Sequence, residues 1–155
     1  MINEPTRLDE AVRAAAQSIE HDILPSETID AMDQEVIKLL KPSMGPKEKV
    51  MFAIKQSRLH APLDPDIILV TNRRIAIVHP SVWHYFKIQP WSLKSFEELS
   101  YTKITKLAAT RGLFLISVNI FVLGTPNCIE ICGLRWRDTR LLMKFVELVL
   151  GYLEG

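Results

Sequence analysis

The chain has 155 residues, 48% of them hydrophobic and 24% charged, which is enough for one packed core with a small appendage. Nineteen Lys and Arg nearly balance eighteen Asp and Glu, and six Gly with nine Pro is ordinary, which argues against disordered, collagen-like and nucleic-acid-coating classes. The longest apolar stretch, residues 113–123, contains Ser117 and Asn119 and falls well short of the ~20 residues a membrane helix needs. The first ten residues lack the basic start and apolar middle of a secretory signal, so the expected location is the cytoplasm, with peripheral attachment to the inner face of the membrane left open.

Charge divides the chain. Residues 1–45 hold nine acidic against four basic side chains, a net −5, which leaves +6 for residues 46–155. Such opposition suits an acidic arm lying against a basic body, or a body that turns its charge toward an anionic partner; two ordinarily solvated surfaces are the plainer explanation.

The arm, residues 1–45, reads as two short helices. Thr6 is a candidate N-cap for the first, with Asp9 three residues on and Leu8, Val12, Ala15 and Ile19 at helical intervals. In the second, Ser26 follows Pro25 as a cap, Ile29, Met32, Val36 and Leu40 form the stripe, and Lys41 with Pro42 ends it. Helices this short are marginal alone, so their stripes must be buried against each other or the body.

From residue 46 the period changes to two. Val50, Phe52 and Ile54 alternate through residues 49–56, and the runs 67–70 and 75–78 read as two further strands joined by the turn Thr71-Asn72-Arg73-Arg74. Asn72 suits a tight hairpin and therefore antiparallel pairing. Additional strands are predicted at residues 85–88, 96–99, 104–109, 113–122 and 128–132, with turns at Arg111-Gly112 and at Gly124-Thr125-Pro126-Asn127. After Gly133 the pattern is helical to the end. Between Leu141 and Leu153 only Lys144, Glu147 and Gly151 are not apolar, a polar stripe narrower than a surface helix usually carries. Some of Leu141, Leu142, Phe145, Leu148, Val149 and Tyr152 can plug a sheet or barrel. Met143, Val146, Leu150 and Leu153 then face a second contact, either the arm or another copy of the chain.

The fold class expected is mainly β with helices (α+β): a bent antiparallel sheet or barrel capped by a carboxy-terminal helix and preceded by two helices. The residues Glu48-Lys49-Val50-Met51-Phe52-Ala53-Ile54, then Val70-Thr71-Asn72-Arg73-Arg74-Ile75-Ala76-Ile77-Val78-His79-Pro80-Ser81, then Phe96-Glu97-Glu98-Leu99-Ser100-Tyr101 and Glu130-Ile131-Cys132-Gly133-Leu134 also resemble a family. The resemblance is to small prokaryotic PH-like domains, relatives in shape of GRAM domains, and covers residues 46–155. It implies binding of proteins, lipids or other copies rather than a reaction. The aromatic segment Trp83-His84-Tyr85-Phe86-Lys87-Ile88-Gln89-Pro90-Trp91 departs from the family pattern.

Candidate sites are few. His21, His60, His79 and His84 show neither an i, i+4 pair nor a Cys-x-x-Cys partner, so no metal site and no cofactor are expected. Cys128 and Cys132 share a strand face with Glu130, about 13 Å apart at ~3.3 Å per residue, too far for a mutual disulfide. The glutamate works against a reactive thiolate, and both read as inert. Ser81 has His79 and His84 near it but no carboxylate and no oxyanion-forming glycines, and no phosphate loop or nucleophile elbow occurs, so no enzyme is expected.

Two surfaces stand out as binding candidates. Strand parity brings the loops 57–65 and 80 onward to one end, gathering Arg58, His60, Trp83 and His84, a mixture suited to an anionic head group or a protein hot spot. The plainer alternative folds Trp83 and Trp91 back over the sheet. The second surface is the hairpin tip Arg73-Arg74 at the other end, where simple solvation is the alternative. Arg135, Arg137 and Arg140 crowd the start of the last helix, where the backbone dipole disfavours cations, so an acidic neighbour such as the arm is expected beside them. The leading functional expectation is a module for protein contact or self-association through Met143, Val146, Leu150 and Leu153. Its alternative is peripheral binding of anionic lipid; nucleic acid is not expected as a partner.

Overall fold

A two-residue hydrophobic period builds the body, and a helical one flanks it at both ends. The computed structural model describes residues 4–23, 44–57, 59, 65–80, 93–126 and 128–154. The second arm helix and the strand expected at residues 85–88 lie outside them.

Helix α1, Glu4–Ile19, buries Leu8, Ala11, Val12, Ala15 and Ile19, one stripe at intervals of three and four. Thr6 is not its N-cap. The helix already runs from Glu4, because Pro5 in the first turn needs no backbone donor and its fixed φ suits the helix.

Seven strands follow: β1 Val50–Lys55, β2 Ile67–Thr71, β3 Arg74–Pro80, β4 Leu93–Ser100, β5 Ile104–Arg111, β6 Ile116–Val122 and β7 Cys128–Leu134. All pairings are antiparallel, in a four-stranded sheet ordered β1-β2-β3-β4 and a three-stranded sheet ordered β5-β6-β7. Strand β6 begins at Ile116, not at Leu113, since residues 112–115 form the turn from β5. The continuous apolar runs of β2 and β3 have a clear cause: both faces are buried. One face, with Ile68, Val70, Ile75 and Ile77, joins the main core; the other, with Ile67, Leu69, Ala76 and Val78, joins a second cluster with Val50 and Ala53.

Helix α2, Trp136–Glu154, closes the main core. Phe145 meets the Phe52 ring edge-on at 5.4 Å and the Tyr101 ring at 6.1 Å. Leu141, Leu142, Val146 and Val149 are buried with it. Of the six residues expected to supply the plug, Leu141, Leu142, Phe145 and Val149 do so, and Leu148 and Tyr152 are exposed, because the buried stripe is centred on Leu142, Phe145, Val146 and Val149. Helix α1 packs on α2, and its apolar stripe shares the core with both sheets.

Candidate functional site

The end of the molecule from which the β1–β2 and β3–β4 connections leave is fixed by register. Lys55 lies opposite Ile67, Ile67 opposite Val78, and Pro80 opposite Leu93. Arg58, His60, Trp83 and His84 themselves lie outside the described residues. Two hydrogen bonds carry this end across to the second sheet: the Ser57 amide donates to the Gly133 carbonyl at 2.8 Å, and Gln56 Nε2 donates to the Cys132 carbonyl at 2.7 Å. Gly133 makes the junction possible. Its φ is +72°, and it sits where the β6–β7 register slips between Ile116 and Val118, a bulge at which only glycine is unstrained.

Past the bulge, Leu134 pairs with Ile116 and Ile116 with Arg111, so the β5–β6 turn shares this end. The Gly112 amide donates to the Leu115 carbonyl at 2.8 Å, closing a turn whose two central residues are Leu113 and Phe114. Their exposures are 89% and 83%, although turns usually carry Gly, Asn or Asp there. Beside them Trp136 is 55% exposed with the Arg111 guanidinium 5.6 Å from its ring, and Leu59, two residues past Ser57, is 84% exposed. Arg135 and Arg140 are exposed at the start of α2.

Part of that cationic helix start is compensated from the arm. Arg137 donates to the Asp22 carbonyl, and Lys144 Nζ lies 3.0 Å from Asp22 Oδ2. The Lys144 hydrogen bond and charge, helped by Arg137 and Arg140, hold the Asp22 carboxyl below its usual range. Among the described residues, Arg135 and Arg140 form no ion pair. Arg140 lines one groove with Trp136 and Asp22, and Arg135 directly precedes Trp136 in the chain.

His79 is differently employed. Nδ1 lies 2.9 Å from Asp66 and Nε2 3.2 Å from Glu97, so both ring nitrogens face carboxylates and tie the end of β3 to the residue before β2 and to the middle of β4. Among the described residues, no three His, Cys, Asp or Glu side chains converge as metal ligands.

At the opposite end, the two hairpin arginines have separate fates. Arg74 is nearly buried and bridges Glu48, Nε to Oε1 at 2.9 Å, and Glu98. Glu48 also lies 2.9 Å from Thr71 Oγ, which accepts from the amides of Arg73 and Arg74. Arg73 stays half-exposed, 3.7 Å from Asp9, and lines a groove of about 800 Å³ between α1 and β1 with Arg13, Lys47 and Lys49. Asn72 acts through its side chain: Oδ1 accepts from the Lys49 amide at 2.8 Å and Nδ2 donates to the Lys47 carbonyl at 3.0 Å, clamping the start of β1.

Of the four α2 residues expected at a second contact, Val146 is fully buried, and Met143, Leu150 and Leu153 are half-buried against the main core. Cys128 is exposed and Cys132 partly covered, neither in a disulfide; burial pushes the Cys132 thiol up, away from reactivity.

Two sheets of four and three antiparallel strands closed by a carboxy-terminal helix are the arrangement that the sequence resemblance implies, and residues 44–147 match the family model for the bacterial PH domain. The chain belongs to the bacterial PH domain family. The fold is similar to two crystal structures. One is a DUF1696 family protein with a pleckstrin-homology domain from Shewanella loihica: TM-score 0.54, 16% identity, 76% of this chain and 95% of that one covered. The other is a pleckstrin homology domain from Shewanella amazonensis, with TM-score 0.52, 17% identity, and 75% and 96% covered. No curated relative matches. Helix α1 lies outside the family match, and so do the last seven residues of α2. No helix among the described residues is long and apolar enough to cross a membrane.

Proposed function

We propose that this bacterial PH domain is a non-catalytic binding module that docks the loop end of its two sheets on anionic lipid head groups. The observation that carries the reading is the grouping of Arg111, Arg135 and Arg140 with the exposed Trp136 at one end, cations beside an indole with an apolar body and a polar tip. The +6 of residues 46–155 supports attraction to an anionic surface. Self-association rested on spare apolar surface along α2, and α1 occupies much of that surface within one chain.

Cosedimentation of the full chain with vesicles tests the proposal. Binding should require anionic lipid and weaken as salt rises, because attraction at a surface is screened over about 8 Å at physiological ionic strength. Equal binding to neutral and anionic vesicles, or none to either, would overturn it.

A further inference from the structure

We infer that the β5–β6 turn is a membrane wedge: Leu113 and Phe114 enter the hydrocarbon boundary while Arg111, Arg135 and Trp136 stop at the head groups. The inference rests on the proposed lipid binding and adds the element that inserts.

Four observations combine. Two consecutive large apolar side chains stand in solvent at a turn where neither joins the core. The turn is held rather than loose: its Gly112–Leu115 hydrogen bond is 2.8 Å, and Gly112 approaches so closely that a Cβ there would lie 2.7 Å from the Leu115 oxygen. The polarity is layered, with the apolar pair outermost and the Arg111 guanidinium over the Trp136 ring at the base. Finally, the tip projects two residues beyond Arg111, roughly 7 Å at ~3.3 Å per residue, which matches the ~5–10 Å to which interfacial segments bury their apolar face.

A protein partner fits this shape less well. Protein hot spots sit in packed central pockets, whereas Leu113 and Phe114 stand exposed at a hairpin tip, two and three residues beyond Arg111. A soft phase needs no matching pocket, and an anionic one suits the arginine at the base.

The test uses the full chain and vesicles of phosphatidylcholine with and without phosphatidylserine. The double variant Leu113→Ser with Phe114→Ser should lower partitioning to the anionic vesicles about 10-fold or more, given the transfer energy of two apolar side chains. Its urea midpoint should be unchanged, since both side chains are exposed. Phe114→Trp should bind at least as well as the wild type and add emission quenched by brominated acyl chains. Should the double variant bind as the wild type does while Arg111→Gln with Arg135→Gln loses binding, the wedge is wrong and head-group attraction stands alone. Failure of the wild type to bind any vesicle would remove the lipid reading and the wedge together.

Discussion

The Tyr101 phenol donates a 2.6 Å hydrogen bond to the main-chain carbonyl of Thr71. Tyr101 is fully buried in the short 3-10 turn that leads from the first sheet to the second, and Thr71 ends β2, so the bond pins the inter-sheet crossing to the hairpin below it. Tyr101→Phe removes that buried hydrogen bond and should cost about 1–3 kcal/mol in urea unfolding. Burial, with Glu48 adding to it, raises the phenol well above its ordinary value of 10.0. The folded chain therefore keeps a proton that the unfolded chain releases. This contribution is fully present below pH 10.0 and is lost as pH rises beyond it. Denaturation midpoints above pH 10 should fall less steeply in Tyr101→Phe than in the wild type.

The pairing of Arg74 with Glu48 supports the same corner from outside. Both side chains are largely covered, and Glu48 also receives Thr71 Oγ at 2.9 Å. Removing one partner strands the other. Arg74→Met or Glu48→Gln alone should destabilise by about 3 kcal/mol, and the double variant should lose less than the sum, a coupling readable in a denaturation cycle.

Gly112 should tolerate no side chain. Gly112→Ala drives a methyl against the Leu115 backbone, so the turn must open, at about 1–3 kcal/mol. Thermal melting should show the loss. If the wedge operates, vesicle binding should fall beyond what the loss of folded protein explains.

Removing residues 1–45 takes away Leu8, Ala11, Val12, Ala15 and Ile19, which share a core with α2. The truncated chain should oligomerise or precipitate under conditions where the full chain does not, as sedimentation velocity at two concentrations would show. A truncated body that remains monomeric and folded would contradict this role for the arm.

Periodicity carried most of the fold. The α1 stripe was legible from its helical repeat, and β2 and β3 from two short, unbroken apolar runs either side of a turn. The start of β6 was not, since Leu113-Phe114-Leu115 continues an apolar run without a break and only the Gly112–Leu115 hydrogen bond shows that the chain turns there. The candidate site was legible in part. The surplus charge of Arg135, Arg137 and Arg140 was visible as a breach of the helix-dipole rule, and Asp22 answers some of it. That Arg74 is tied down was hidden, because Glu48 lies 26 residues earlier and a charge beside a turn reads as solvated. Nor could sequence spacing join Ser57 to Gly133, a contact made by a bulge rather than by pattern.

Cys128 pairs with Phe121 at the far end of β7 from the Leu134–Ile116 pair, and its thiol is open while that of Cys132 is partly shielded. A maleimide linker would therefore find one preferred point of attachment, roughly 20 Å along the strand from Leu134 at ~3.3 Å per residue. Immobilised through it, the molecule would stand with Leu113 and Phe114 on the side away from the support, the orientation in which the proposed wedge could be offered a bilayer.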